Sequence, residues 1–175
     1  MEEKDVIQLL RHYRHDLMNH LQIVQGYLSM GNTEKAQTKL KTYMEQLQEE
    51  SKLVNLNAPA FALYIQQFNF LHTNFRLTYH IHTANKNLQS LDYLLAECCK
   101  KVVETIVEAS DKKELYELDV HISDVELDMI ELEFAVSGRF SDEKTLIKHL
   151  KNMDWNITVA CRDETLTCTV NIPNK

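Results

Sequence analysis

The chain has 175 residues, 44% of them hydrophobic, with a formal net charge of −7. That is apolar material enough for one ordinary domain, or for a small domain with a helical appendage, and too much for a disordered chain. The acidic balance excludes a sequence-independent nucleic-acid binder, which replaces counterions with a dense basic surface, and it opposes docking on anionic lipid.

Three glycines and two prolines leave no glycine-rich phosphate loop of the P-loop or dinucleotide type. Of the cysteines, Cys98 and Cys99 are adjacent and neither Cys161 nor Cys168 lies in a CxxC pair. They read as reduced, buried or half-buried thiols rather than a disulfide framework. No convincing His and Cys spacing builds a zinc site. Met1-Glu2-Glu3-Lys4-Asp5 is acidic and unlike a signal peptide, and the apolar runs are too short to span a bilayer, so a soluble, cytoplasmic protein with no membrane partner is expected.

Residues 5–29 predict a long helix in which Leu10, Leu17, Leu21, Val24 and Leu28 fall on one stripe at about 100° per residue. Ser29-Met30-Gly31-Asn32-Thr33 predicts a turn, with Gly31 ending the first helix and Asn32 or Thr33 capping the next. Residues 34–56 predict that second helix, with Ala36, Leu40, Tyr43, Leu47 and Val54 in line and Met44 at the edge. Two long helices on a short turn make an antiparallel hairpin. One hairpin has a single seam, so the remaining apolar surface needs cover. A homodimer of hairpins, a four-helix bundle, is the economical answer, and cover by the C-terminal half is the other.

Asn55-Leu56-Asn57-Ala58-Pro59 predicts a break, dividing a hairpin region, 1–57, from a C-terminal domain, 58–175. A helix from Phe61 to Leu71 follows, then a strand from Phe75 to His82, a helix from Asp92 to Ser110, and strands over Tyr116–Ser123 and Leu127–Val136. A helix from Ser141 to Met153, capped by Ser141, precedes a last hairpin, Asn156–Cys161 and Thr165–Ile172 over Arg162-Asp163-Glu164. The fold class expected is α+β: the hairpin, then an α/β sandwich of one sheet covered by helices.

On the first helix, His15 points about 150° from the centre of the apolar stripe, nearly straight out. Gln8, Arg11, Asn19, Gln22 and Gly26 share its face. Gly26 keeps that strip low, so another protein could approach. An exposed imidazole is a competent nucleophile toward phosphorus, Asp16 could orient the ring or take its proton, and Arg14 could meet phosphoryl oxygens. Exposed helical histidines are common, so composition alone does not make His15 catalytic. His12, His20, His72, His80, His82, His121 and His149 read as surface or strand positions with no role.

The run Arg14-His15-Asp16-Leu17-Met18-Asn19-His20-Leu21-Gln22-Ile23-Val24-Gln25-Gly26-Tyr27-Leu28 resembles the RHDxxNxLQxIxGxL signature of the sporulation initiation phosphotransferase B family and of the related citrate- and fumarate-type sensor histidine kinases. Gly31-Asn32-Thr33-Glu34-Lys35-Ala36 is similar to their hairpin turn, and Glu49-Glu50-Ser51-Lys52-Leu53-Val54-Asn55-Leu56 to the end of the phosphotransferase's second helix. The resemblance is specific over residues 7–60 and looser beyond. It implies that His15 is phosphorylated, that the bundle is dimeric, and that the C-terminal domain is shaped like a histidine-kinase ATPase domain.

A kinase of that kind needs an asparagine-rich helix to chelate magnesium, then DxGxG and GxG loops. Here Glu104 and Glu108 stand where asparagines would, and Gly138 is the only downstream glycine. Two carboxylates there would repel a triphosphate. The resemblance then implies a phosphoryl group taken from the aspartate of one response regulator onto His15 and passed to the aspartate of a second, transcription-controlling regulator. Magnesium would come with the regulator, and no cofactor or metal would be bound by this chain. The competing expectations are a remnant sensor kinase and a non-enzymatic dimeric adaptor that docks response regulators.

Overall fold

The computed structural model describes residues 3–84, 87–126, 128–162 and 164–174. Met1 and Glu2 of the acidic N-terminal stretch, Leu127 at the predicted start of a strand and Asp163 of the last predicted turn lie outside the described residues. The chain divides into two compact units, residues 1–51 and 52–175.

The first unit holds α1 (Glu3–Ser29) and most of α2 (Thr33–Val54). Their junction has two sets of hydrogen bonds that explain its brevity. Gly31, at φ +70°, takes a left-handed conformation that most residues avoid. Its N–H donates to Leu28 O at 3.0 Å while Asn32 N–H donates to Tyr27 O at 2.9 Å, so the open carbonyls at the end of α1 are satisfied in a Schellman arrangement. The Asn32 side chain then accepts from Lys35 N–H at 3.2 Å and caps α2. Between the helices, His20 stacks on Tyr43 with ring centroids 4.2 Å apart.

The second unit is an α/β sandwich. It contains α3 (Pro59–Leu71), β1 (Phe75–Ile81), a 3-10 turn (Gln89–Leu91), α4 (Asp92–Ala109), β2 (Tyr116–Glu126), β3 (Met129–Ser137), α5 (Glu143–Lys151), β4 (Asn156–Arg162) and β5 (Thr165–Pro173). The strands form one five-stranded sheet in the order β1-β2-β3-β5-β4. β1 runs parallel to β2, and the other neighbours are antiparallel. Burial alternates along β3 and β5. Their inner residues, from Ile130 to Val136 and from Leu166 to Ile172, join Leu95, Cys99, Val103 and Ile106 of α4 and Phe61, Ile65 and Phe68 of α3 in one core. The opposite face carries the polar residues of the alternation, as a sheet covered on one side dictates. Leu53 and Leu56, at and just beyond the end of α2, are buried in the same core.

Two local expectations are corrected. Pro59 opens α3 rather than merely breaking α2, because a proline at the first helical position gives up an N–H that has no intrahelical partner. The next two N–H groups, of Ala60 and Phe61, donate to the buried Asp92 carboxylate at 3.0 and 2.9 Å. At α5 the cap is Asp142, which accepts from Thr145 N–H at 3.0 Å, and not Ser141. β2 runs on to Glu126, with a register shift between Asp124 and Glu126.

All four cysteines are free. Burial pushes Cys98 and Cys168 up to about 12 and Cys99 well above its ordinary value, which makes them packing residues rather than nucleophiles. Among the described residues, no helix is long and apolar enough to cross a membrane.

Candidate functional site

The midpoint of α1 places a short polar constellation on its outer face. The His15 side chain is 69% exposed. Its Nδ1 lies 3.3 Å from Asp16 Oδ1 and 3.2 Å from the Asn19 amide nitrogen. The other Asp16 oxygen lies 3.2 Å from His12 Nε2. Asp16 therefore stands between two imidazoles, one on the next residue and one a helical turn earlier. Among the described residues, no hydrogen bond or ion pair reaches Nε2 of His15.

This asymmetry has a chemical consequence. A carboxylate beside Nδ1 favours the tautomer with its proton there, since it accepts from that N–H. The lone pair is then on Nε2, the nitrogen open to an incoming electrophile. Asn19 competes for the same atom: its amide N–H would donate to an unprotonated Nδ1 and favour the opposite tautomer. The two contacts are alternatives at Nδ1, and the one to the carboxylate is the one that leaves the lone pair on Nε2.

The remaining predicted residues lie along α1. Gln8, Arg11, Arg14 and Gln22 are exposed, and among the described residues Arg11 and Arg14 have no ion-pair partner, leaving both guanidinium groups available to an anion. Gly26 is bare: a Cβ built on it would meet nothing within 4 Å. Among the described residues, nothing calls for glycine there.

The structure brings in one residue that sequence reading left without a role. His12 reaches Asp16 through the i, i+4 spacing that the sequence did display. His20 and His72 are corrected in the other direction, from surface to packing. His20 is half-buried against Tyr43, with Nδ1 buried and, among the described residues, without a hydrogen-bond partner. Burial, then the Lys39 charge, lowers its pKa, against a smaller opposing effect of Asp16. His72 packs on Phe68 with ring centroids 4.6 Å apart, and burial lowers its pKa also.

The apolar stripe of the hairpin is only partly covered within one chain. Leu10 is 58% and Leu28 54% exposed, and Leu17, Leu21, Leu40, Met44 and Leu47 are exposed with them.

In the second unit, the α4 face that would have to serve magnesium carries Glu104 and Glu108, both exposed, with Glu104 near Lys100 at 3.8 Å. Gly138, at φ +151°, passes directly over the Tyr116 ring, and any Cβ there would collide with that ring. Tyr116 in turn donates its hydroxyl to Arg139 O at 2.7 Å and accepts from Asp111 N–H at 3.0 Å. This glycine serves close packing over an aromatic ring, and the short segment from β3 to α5 is spent on that contact.

A helical hairpin with an exposed, carboxylate-flanked histidine, followed by an α/β sandwich, defines a two-part histidine-bearing protein of the sensor-kinase and phosphotransferase class. Residues 1–56 match the alpha-helical domain of SpoOB-type sensor kinases, and residues 57–172 match the C-terminal domain of sporulation initiation phosphotransferase B. The chain belongs to the sporulation initiation phosphotransferase B family. It is 30% identical over 118 residues to sporulation initiation phosphotransferase B of Bacillus subtilis, a match that covers 67% of this chain and 62% of that relative. Solved structures with a similar fold include the blue-light activated histidine kinase of Erythrobacter litoralis, at 13% identity over 99% of this chain and 61% of that one, with a TM-score of 0.47. Another is the histidine kinase ThkA in its complex with the response regulator protein TrrA, at 13% identity over 96% of this chain and 61% of that one, with a TM-score of 0.43.

Proposed function

We propose that this protein is a phosphorelay phosphotransferase that carries a phosphoryl group on His15 between aspartates of two response regulators. Membership of a family named for sporulation initiation and phosphotransfer supports the reaction class and the setting. The observation that carries the reading is local: an exposed imidazole whose Nδ1 is engaged by Asp16 while Nε2 is open.

In the forward step, the Nε2 lone pair attacks the phosphorus of an aspartyl phosphate. The N–P bond forms as the P–O bond to the donor carboxylate breaks, and the carboxylate leaves with the bonding pair. Asp16, beside Nδ1–H, stabilises the positive charge that the ring acquires. In the second step, the acceptor carboxylate attacks the same phosphorus and neutral His15 leaves. Such transfers depend on in-line positioning and charge neutralisation more than on covalent help. Arg14 and Arg11 supply fixed positive charge to the moving oxygens. Magnesium is brought in the acidic pocket of the regulator. Gln8, Asn19 and Gln22 line the docking face, and bare Gly26 lets a partner approach closely.

The working form is a homodimer in which the exposed stripe from Leu10 to Leu28 and from Leu40 to Leu47 closes a four-helix bundle. Residues 58–175 then form a domain that binds no nucleotide, given Glu104 and Glu108 on α4 and a glycine at position 138 committed to Tyr116.

The test is a time course of label passing from a phosphorylated response regulator to the protein and its variants. Wild type acquires acid-labile, base-stable phosphate, and His15→Gln acquires none while folding and docking normally. Labelling of His15→Gln would reject the site. Docking without any labelling of the wild type would leave the adaptor, and micromolar binding of magnesium-ATP would restore the remnant kinase.

A further inference from the structure

The outer face of the second unit's sheet gathers three histidines and an aspartate that the phosphotransfer reading does not use. Parallel pairing sets His80 of β1 directly beside His121 of β2, and Thr78 beside Asp119. Since alternate residues of a strand share a face, Asp119, His121 and His80 all point to the side away from the helices. His80 Nε2 lies 3.4 Å from Asp119 Oδ1, and His121 Nε2 lies 3.2 Å from Asp119 Oδ2. The His80 and His121 rings stack with centroids 4.8 Å apart.

We propose that His80, Asp119 and His121 bind a divalent transition-metal ion of the zinc type. The three side chains offer one ligand atom each, all within 4.8 Å of one another. For metal–ligand bonds of about 2.1 Å, neighbouring ligands of a tetrahedral zinc stand roughly 3.4 Å apart, which is the spacing already present between each imidazole nitrogen and the carboxylate. Two imidazoles and one carboxylate select zinc and its neighbours over magnesium or calcium, which prefer all-oxygen sites. Water completes the coordination, because all three ligands are on a solvent-facing surface.

The surroundings orient the ligands as metal sites require. Thr78 Oγ1 donates to Asp119 Oδ1 at 2.9 Å. His121 Nδ1 lies 3.3 Å from His82 Nε2, so a proton on Nδ1, donated to His82, leaves the Nε2 lone pair for the metal. Such outer contacts fix the tautomer and the ring orientation. Glu133 of β3 is directly across from His121 in the sheet register and adds negative charge to the same face.

The ion would have a definite mechanical effect. β1 is the edge strand, held to the sheet only through β2. A metal bridging His80 to Asp119 and His121 ties that edge strand to its neighbour, and it stabilises the folded state because the unfolded chain does not present the three ligands together. Since imidazole ligands must be unprotonated, binding weakens as the pH falls.

The experiment is calorimetric titration of the full-length protein with zinc chloride, paired with cobalt chloride as a visible-absorption probe of four-coordinate geometry. Zinc saturates at one ion per chain and raises the melting temperature, and zinc displaces the cobalt spectrum. His80→Gln, His121→Gln and Asp119→Asn each weaken binding by at least tenfold, and His82→Gln by about tenfold, as loss of an outer-shell partner does. Circular dichroism confirms that these surface variants are folded, and His15→Gln and His12→Gln bind as the wild type does, which excludes the His12–Asp16–His15 group of α1 as the source of the signal. The proposal is overturned if no saturable binding occurs below ~1 mM zinc, or if His80→Gln and His121→Gln both bind as the wild type does.

Discussion

Asp16 Oδ1 meets Nδ1 of His15 at 3.3 Å, on the side of the ring away from the nitrogen left open. The carboxylate therefore engages the ring without standing in the path to Nε2. Asp16→Asn keeps the shape but loses the charge that stabilises the imidazolium, and leaves Asn19 to hold the ring with Nδ1 unprotonated. Label transfer should slow by about 10²-fold, within the range for a lost acid–base contribution, with docking affinity unchanged. Equal rates for Asp16→Asn and wild type would show that transfer does not depend on the Asp16 charge. His12→Gln removes the second imidazole on Asp16 and should leave transfer within a few-fold of wild type, because the carboxylate remains beside Nδ1.

The dimer prediction concerns the middle of the apolar stripe. Leu21 is 45% exposed in a single chain, and with Leu10, Leu17 and Leu28 on the same stripe it forms an apolar surface that water disfavours. Leu21→Asp in a four-helix seam buries an unpaired carboxylate at a cost of several kcal/mol. Sedimentation should show the wild type as a dimer at micromolar concentration and the variant as a monomer or partly unfolded. A well-folded monomeric wild type would refute the bundle.

Much of this architecture was legible because it is written in local patterns. Helix periodicity, the Gly31-Asn32 turn and the alternation of Leu118, Val120 and Ile122 each need only a few neighbouring residues. What was missed is held across the fold. Asp92 caps a helix beginning more than thirty residues earlier, and His80 meets His121 only through the pairing of β1 with β2. The His12–Asp16 contact follows an i, i+4 spacing that the sequence displays, but such spacings are frequent in any helix and do not by themselves mark a role. His20 reads as a surface position because only the Tyr43 ring on the other helix of the hairpin makes it a packed one.

His20 makes the hairpin sensitive to acid. Burial holds its pKa below the unfolded value of 6.5. Above that value the ring is neutral in both states and contributes no pH dependence. As the pH falls below 6.5, the unfolded chain binds a proton that the folded chain resists, so stability declines until the folded pKa is reached. His20→Phe keeps a ring against Tyr43 without the titration. The melting temperature of the wild type should drop more steeply than that of His20→Phe between about pH 6.5 and 5. Parallel curves would mean that His20 does not titrate differently on folding.

Gly26 separates helix stability from docking. Alanine in a helix interior is better than glycine by about 1 kcal/mol, and the added Cβ meets nothing within 4 Å. Gly26→Ala should therefore raise thermal stability. If that bare patch is where a response regulator comes close, the same methyl group should weaken regulator binding in a titration. A variant that is more stable and binds equally well would place the docking surface elsewhere.

The last prediction tests how the second unit is tied together. Asp92 is 5% exposed and, among the described residues, the one buried charged side chain. Its oxygens accept from Ala60 and Phe61 N–H, which point out of the first turn of α3 and have no intrahelical acceptor. The carboxylate thus joins the start of α4 to the start of α3, and its charge is favoured by the helix dipole there. Asp92→Ala leaves one buried and one part-buried N–H group without their acceptor and should cost about 3 kcal/mol, the upper range for hydrogen bonds to a charged group. Asp92→Asn can still accept one bond and should cost about half as much by the same scale. Trp155, the chain's single tryptophan, packs against the core of this unit, so its fluorescence follows the unfolding of the second unit in urea. The midpoint should move to lower urea in the order wild type, Asp92→Asn, Asp92→Ala. If both variants unfold at the wild-type midpoint, α3 is held by the burial of Phe61, Ile65 and Phe68 alone and its cap contributes nothing.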